Sequence, residues 1–271
     1  MINFICPVCK KELLEEEKLC RCENGHCFDK SKFGYVNLLQ SQKSSAKRHG
    51  DDRLMVRARR DFLDSGYYSF LRDALCETCL EYLPNGGNIL DAGCGECYYS
   101  AEIKSRYLGK AELFGVDISK DALEFASKRK SNVKTAVASL FDLPFASGSL
   151  DMVLNVFSPE AFDEFHRVLK FGGYLIRVIP LENHLLGLKA AIYEKPYLND
   201  IPDTEIKGFK LVETKQIKSL LNIDSNEEIQ NLFKMTPYYY KTGVNDQHKI
   251  NSLDFLETQA EFEIRIYKKE R

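Results

Sequence analysis

From Tyr67 onward, short apolar runs alternate with segments of helical length, and this alternation limits the possible folds more than any other feature of the chain. A helix over 69–83 ends at PNGG, the apolar run NILDAGCG follows, and a second helix starts near Tyr98. AELFGVDIS, a helix over 121–130, and apolar runs at 133–138, 150–156 and 173–179, separated by helical segments, continue the pattern. Such alternation predicts a doubly wound α/β domain over 67–271 with a mostly parallel sheet. The end differs, because GFKLVETKQI and AEFEIRIYKK alternate apolar with polar residues and fit an antiparallel pair added at one edge. With 44% hydrophobic and 29% charged residues, a 271-residue chain has enough apolar material for this core and for a small module besides.

The first 38 residues form that module. CPVC at 6–9 is followed by CRCENGHC at 20–27. No apolar run reaches the roughly 18 residues of a membrane span, and MINFICPVCK has neither the basic start nor the long apolar stretch of a secretory signal. A cytoplasmic, reducing setting is therefore expected, in which nine cysteines are metal ligands or buried thiols rather than disulfides. Cys6 and Cys9 make one knuckle, and Cys22 with His26 completes a set of three thiolates and one imidazole suited to one closed, structural zinc. Cys20 and Cys27 compete for the second knuckle, but the NGH turn, with Gly25 free to take positive φ, directs His26 inward after Cys22. A redox CxxC would sit after a strand in a βαβ setting, which this segment lacks. A four-ligand site has no open position for chemistry, so the metal is scaffolding.

Residues 39–66 are expected to be a basic linker and helix. QSQKSSAKRHGDDRLMVRARR carries seven Lys or Arg against two Asp, which stands out in a chain of net charge −2. Its Ser-rich first half reads as linker. From Asp51 the period is helical, with Leu54, Ala58 and Phe62 on one side and Arg53, Arg57 and Arg60 on another, placed either as a solvated face or to follow RNA phosphates.

LDAGCGEC, residues 90–97, holds the chemistry. At a strand-to-helix turn, Gly93 and Gly95 let the backbone approach a ligand. A dinucleotide fingerprint needs glycine at the sixth position from Gly93, which is Tyr98, so NAD is disfavoured. Asp91 before the glycines repels phosphate but suits a ligand carrying an ammonium and a sulfonium. Asp117, ending FGVDIS, is placed either to accept from ribose hydroxyls or to cap the next helix. Together the two acids favour S-adenosylmethionine, and the pairing of the GxG turn with Asp117 at successive strand ends strengthens that reading.

LDAGCGECYY, FGVDIS, SLFDLPF with SGSLDMV, and VLKFGGYLI resemble the successive motifs of class I, Rossmann-like methyltransferases. CPVC with CENGHCFD, FGYVNLL, ARRDFLDSGYY, PLENHLLGLK and LFKMTPYYY together resemble the RlmA-type 23S ribosomal RNA guanine N1-methyltransferases. The resemblance implies Cys6, Cys9, Cys22 and His26 as zinc ligands. It implies Tyr68, Gly93, Gly95, Glu96, Asp117 and His184 on the cofactor, a 23S rRNA hairpin as substrate, and a homodimer. Two positions depart from the common pattern. Cys97 replaces a third glycine, and Ser139 stands where an adenine-reading acid is common, with Asp142 three residues on.

Methylating guanine N1 requires removal of its proton or stabilisation of charge on O6. The loop NVFSPE makes Asn155 and Glu160 candidates for substrate contact, against a backbone-bonding Asn and an exposed Glu. Phe157 or the run Tyr238, Tyr239, Tyr240 could stack on a flipped base or pack at the domain edge. The competing functions are methylation of a small molecule or protein, and a non-catalytic zinc-ribbon RNA binder.

Overall fold

The computed structural model describes residues 3–40 and 50–271. Three short antiparallel strands open the chain, β1 (Leu13–Glu15), β2 (Leu19–Cys22) and β3 (Cys27–Asp29), followed by β4 (Val36–Asn37). Helices α1 (Arg53–Asp64) and α2 (Ser69–Tyr82) lead into β5 (Asn88–Ala92), α3 (Tyr98–Arg106), β6 (Glu112–Asp117), α4 (Lys120–Ala126) and β7 (Lys134–Val137). Next come β8 (Leu150–Val156), α5 (Phe162–Val168), β9 (Leu169–Pro180) and α6 (Leu186–Ile192). The chain closes with β10 (Phe209–Ile223), α7 (Asn226–Lys234), α8 (Tyr238–Lys241), α9 (Val244–Asn251) and β11 (Leu256–Lys269).

The main sheet has the order β10-β11-β9-β8-β5-β6-β7-β4. Strands β4 to β9 within it pair in parallel, while β11 runs antiparallel to both β9 and β10. This is the doubly wound sheet with an antiparallel edge that the alternation predicts. The central strands are buried on both faces and so read as apolar runs, whereas β10, the outer strand, alternates half-buried with exposed residues. Strand order reverses between β5 and β8, and ligands of such sheets bind at the carboxyl ends on either side of that reversal.

The N-terminal 38 residues are not separate from this sheet. β4 pairs with β7, with Val36 opposite Ala136 and Asn37 opposite Val137, and the Leu38 N–H donates to the Val137 carbonyl at 2.9 Å. Phe4 packs its ring on Phe114 and Phe145, with centroids 5.6 and 5.3 Å apart, and the Ile5 N–H donates to Pro144 O at 2.9 Å. Cys6, Leu13 and Cys22 therefore share one core with Leu90, Val153, Phe165 and Leu175. Burying each large apolar side chain of that seam contributes about 1.5–3 kcal/mol.

Lys43, Lys47 and Arg48 of the basic segment lie outside the described residues. In α1, capped by Asp52 accepting the Met55 N–H at 2.9 Å, the buried residues are Met55, Val56, Ala58, Phe62 and Leu63. Leu54 is exposed, which corrects the expected apolar face, because α1 presses on α4 and α7 through a stripe turned away from it. The arginines of the other face have partners within the chain. Arg53 makes two 3.0 Å bonds to Glu124, Arg60 pairs with Asp64 at 3.4 Å, and both guanidiniums lie over the Phe125 ring. Arg57 pairs with Asp61 at 3.6 Å and is the most exposed of the three, at 74%.

Candidate active site

The metal cluster is local. Cys6, Cys9, Cys22 and His26 bring their ligand atoms within 4.8 Å of one another. Cys9 Sγ lies 3.6 Å from Cys22 Sγ, and His26 Nδ1 lies 3.3 Å from Cys22 Sγ and 3.6 Å from Cys6 Sγ. A tetrahedron with Zn–S near 2.3 Å has edges of roughly 3.7 Å, so this donor set fits one structural zinc. The Lys11 amide lowers the Cys9 thiol to about 6, which favours the thiolate a metal needs. Cys20 and Cys27 stand outside the group, Cys27 being exposed with its thiol on the Gly25 carbonyl at 3.3 Å.

The second site is assembled at the carboxyl ends of β5, β6, β7, β8 and β9. Gly93 has φ +84°, and a Cβ there would lie 2.3 Å from Ser158 Cβ, so only glycine lets the ends of β5 and β8 close together. Gly95, by contrast, faces open space, and its N–H donates to Asp117 Oδ2 at 2.8 Å. The other oxygen, Oδ1, accepts the Ser119 N–H at 2.8 Å. Burial raises the Asp117 carboxyl above its ordinary range, opposed by these two amides. Cys97 takes φ +64° as it caps α3, which explains why glycine is common at this place. Cysteine holds the left-handed conformation at a cost of about 1–2 kcal/mol.

Asp91 is 2% exposed, its Oδ2 has no hydrogen-bond partner among the described residues, and burial pushes its carboxyl up to about 7. The buried Tyr68 hydroxyl likewise has no partner there, and burial raises its phenol. His184, following β9, accepts the Glu261 N–H on Nδ1 at 3.3 Å, while burial, reinforced by Lys189, lowers it to about 3 and keeps it neutral. Phe262 joins these groups, its ring centroid 5.1 Å from Tyr68, 4.6 Å from His184 and 5.3 Å from Phe157. Tyr68 and His184, two of the positions carried by the resemblance, and the exposed Phe157 therefore meet around Phe262.

Other candidates are already engaged. The Glu96 carboxylate is turned to Arg129, with Nη2 to Oε1 at 2.7 Å and a second contact from Nε to Oε2. Ser139 Oγ accepts the Phe141 N–H at 3.2 Å, and Asp142 pairs with Lys10 of the metal knuckle at 2.8 Å. The Asn155 amide donates to Ser158 O, Ser158 Oγ and Pro159 O at 3.2, 2.6 and 3.2 Å, and Ser158 Oγ donates to Ala92 O at 2.5 Å. That clasp fixes the loop after β8. Glu160 pairs with Arg177 of β9. Tyr238 donates to Asn199 at 3.4 Å and Tyr240 to Asp52 at 2.7 Å, while Tyr239 packs on Phe233, so all three tyrosines have partners within the chain. Sequence reasoning missed Ser158, Arg177 and Phe262. Only Arg177 had a signal, as a lone cation inside the apolar run GGYLIRVI.

The parallel sheet with an antiparallel edge, the glycine turn and the acid ending β6 define a class I methyltransferase fold, and residues 89–173 match a methyltransferase domain family. Residues 4–47 match the N-terminal zinc ribbon of RlmA. YxjB of Bacillus subtilis (strain 168), named as a 23S rRNA (guanine-N(1)-)-methyltransferase, is 33% identical over 250 residues, which are 86% of this chain and 86% of that protein. The 23S rRNA (guanine(748)-N(1))-methyltransferase of Streptomyces fradiae is 36% identical over 190 residues, 69% of this chain and 66% of that protein. Among solved structures, phosphoethanolamine N-methyltransferase 2 of Haemonchus contortus superposes with a TM-score of 0.48 at 16% identity, covering 81% of this chain and 58% of that one. The chain belongs to the 23S rRNA (guanine-N1-)-methyltransferase family.

Proposed function

We propose that the enzyme transfers a methyl group from S-adenosylmethionine to N1 of a guanine in a 23S rRNA hairpin. The observation that carries the cofactor reading is the pair of buried, unpartnered polar atoms, Asp91 Oδ2 and the Tyr68 hydroxyl, in a domain whose strand ends also present Asp117 and the open backbone of Gly95. Native folds rarely leave such atoms without a partner, and these two lie at the strand ends where ligands of such sheets bind and can supply one. When bound, the cofactor supplies an electrophilic methyl on a sulfonium. Asp117 keeps lone pairs free on both oxygens after accepting two amides and would take the ribose hydroxyls. Asp91 would take the ammonium, neutral His184 and Tyr68 would wall the amino-acid end, and the turn from Ser139 to Asp142 would border the adenine. Glu96 would act indirectly, by holding the loop through Arg129.

The zinc ribbon, packed on the same sheet, would present the RNA, and the homodimer and cytoplasmic setting expected from the sequence belong to this reading. Transfer of labelled methyl to unmodified 23S rRNA, compared with free nucleotides and proteins, tests it. Label is expected in the RNA alone, with a reverse-transcription stop at one guanine. Label in a small molecule or protein instead, or in nothing, would refute it.

A further inference from the structure

Arg177 lies in the apolar run of β9, opposite Arg265 of β11 and beside Asn155 of β8 in the sheet register. Two guanidiniums facing each other across an antiparallel pair repel, and each buried charge needs compensation. Arg265 has it, with Nε donating to Glu263 at 2.5 Å and Nη1 to the carbonyls of Pro202 and Asp203, both at 2.9 Å. Arg177, 2% exposed, has it from one carboxylate alone. Its Nη2 pairs with Glu160 Oε1 and its Cζ lies 5.5 Å from the Phe162 ring centroid, but its buried Nε has no hydrogen-bond partner among the described residues. Glu160 is its opposite, with 45% of its side chain exposed in the loop that Asn155 and Ser158 clasp to the end of β5. A buried cation thus anchors a half-exposed carboxylate two residues after Ser158, the residue that packs on the glycine turn.

We propose that Glu160 meets the Watson–Crick edge of the target guanine and takes its N1 proton, and that Arg177 is the positioning residue that holds it. This rests on guanine N1 being the methyl acceptor. Neutral guanine presents two adjacent donors, N1–H and the N2 amino group, and a carboxylate fixed through one oxygen offers the other as their acceptor. In the transfer, the N1 proton passes to Glu160 and the N1 electron pair forms the new N–CH3 bond. The bond from sulfur to that methyl breaks, and its electron pair stays on sulfur as a neutral thioether. Glu160 then returns the proton to water, which its exposure permits.

The experiment is single-turnover methyl transfer to unmodified 23S rRNA by the full chain, with S-adenosylhomocysteine affinity measured beside it. Glu160→Gln, a substitution at an exposed position, should slow transfer at saturating RNA by about a hundredfold or more and leave that affinity unchanged. Arg177→Met should also slow transfer, and Arg177→Lys should recover part of the rate. The double variant Glu160→Gln with Arg177→Met should be no slower than Glu160→Gln alone, because a positioning residue acts only through the group it positions. Full rate in Glu160→Gln, or loss of S-adenosylhomocysteine affinity in it, overturns the assignment of Glu160. Multiplied losses in the double variant overturn that of Arg177. Absence of transfer by the wild type refutes the guanine reading itself, separately from this pair.

Discussion

In the zinc ribbon, all four ligands come from residues 6 to 26 and are brought together by two knuckles and a hairpin. At the second site, Tyr68, Asp91, Gly95, Asp117 and His184 come from separate strand and helix ends and are brought to one end of the sheet only because β5, β6, β8 and β9 lie side by side. The first site can be organised by its metal. The second depends on the whole sheet, which brings the Gly95 N–H to Asp117 and leaves Asp91 Oδ2 and the Tyr68 hydroxyl without a partner among the described residues. The two regions are nevertheless mechanically joined, through Phe4 on Phe114 and Phe145 and through Lys10 on Asp142.

The largest effect that separates the regions is expected from the metal. Structural zinc in small modules contributes about 10–16 kcal/mol of apparent binding free energy, so Cys22→Ser should lose the ion and unfold the ribbon, while Cys20→Ser should retain it. Metal analysis and zinc titration check this. Because the ribbon shares its core with the sheet, the metal-free protein should also unfold at a lower temperature in its methyltransferase domain, and unchanged melting there would show the two regions to be independent.

Asp91 tests the crevice from the stability side. Its carboxyl rises from the ordinary 3.8 to about 7 in the folded protein, so between those values the folded state holds a proton the unfolded chain has released. Stability of the ligand-free protein should therefore fall as pH rises through that window and level off above it, by an amount on the order of a few kcal/mol. Asp91→Asn should remove this slope, stabilise the protein at pH 8 and weaken S-adenosylmethionine binding. Denaturation at several pH values and calorimetry measure both, and an unchanged slope would locate the loss of stability with rising pH elsewhere.

Asp117→Ala should cost about 1.5–3 kcal/mol of S-adenosylhomocysteine binding, a ten- to hundredfold loss, since it removes a charged acceptor. Zinc content should not change, which keeps the effect on one side of the comparison. Affinity equal to wild type would place the ribose elsewhere. The smallest effect concerns the basic helix. With Arg53 and Arg60 committed to Glu124, Asp64 and Phe125, the triple change of Arg53, Arg57 and Arg60 to Gln should flatten the log–log salt dependence of RNA binding by only about 0.7, the value of one phosphate contact. A drop near two would mean that RNA pulls the other two arginines from their partners.

The sequence by itself determined the features whose physics is local. Ligand spacing in CPVC and CENGHC specified the zinc site, apolar runs specified which strands are covered on both faces, alternation marked the antiparallel edge, and GCG after a strand marked the ligand turn. It did not determine what depends on which elements touch. Leu54 and Met55 are equally apolar in the helical pattern, and only packing against α4 and α7 decides which is buried. Arg53 and Arg60 looked free because Glu124 and Phe125 lie more than sixty residues away along the chain. The contact of Arg129 with Glu96 and the pairing of β4 with β7 likewise join residues far apart in the chain. Tertiary structure also placed Arg177 behind Glu160, because strand register, fixed by burial of alternate side chains, lays residues of β8, β9 and β11 side by side at separations that no local pattern encodes.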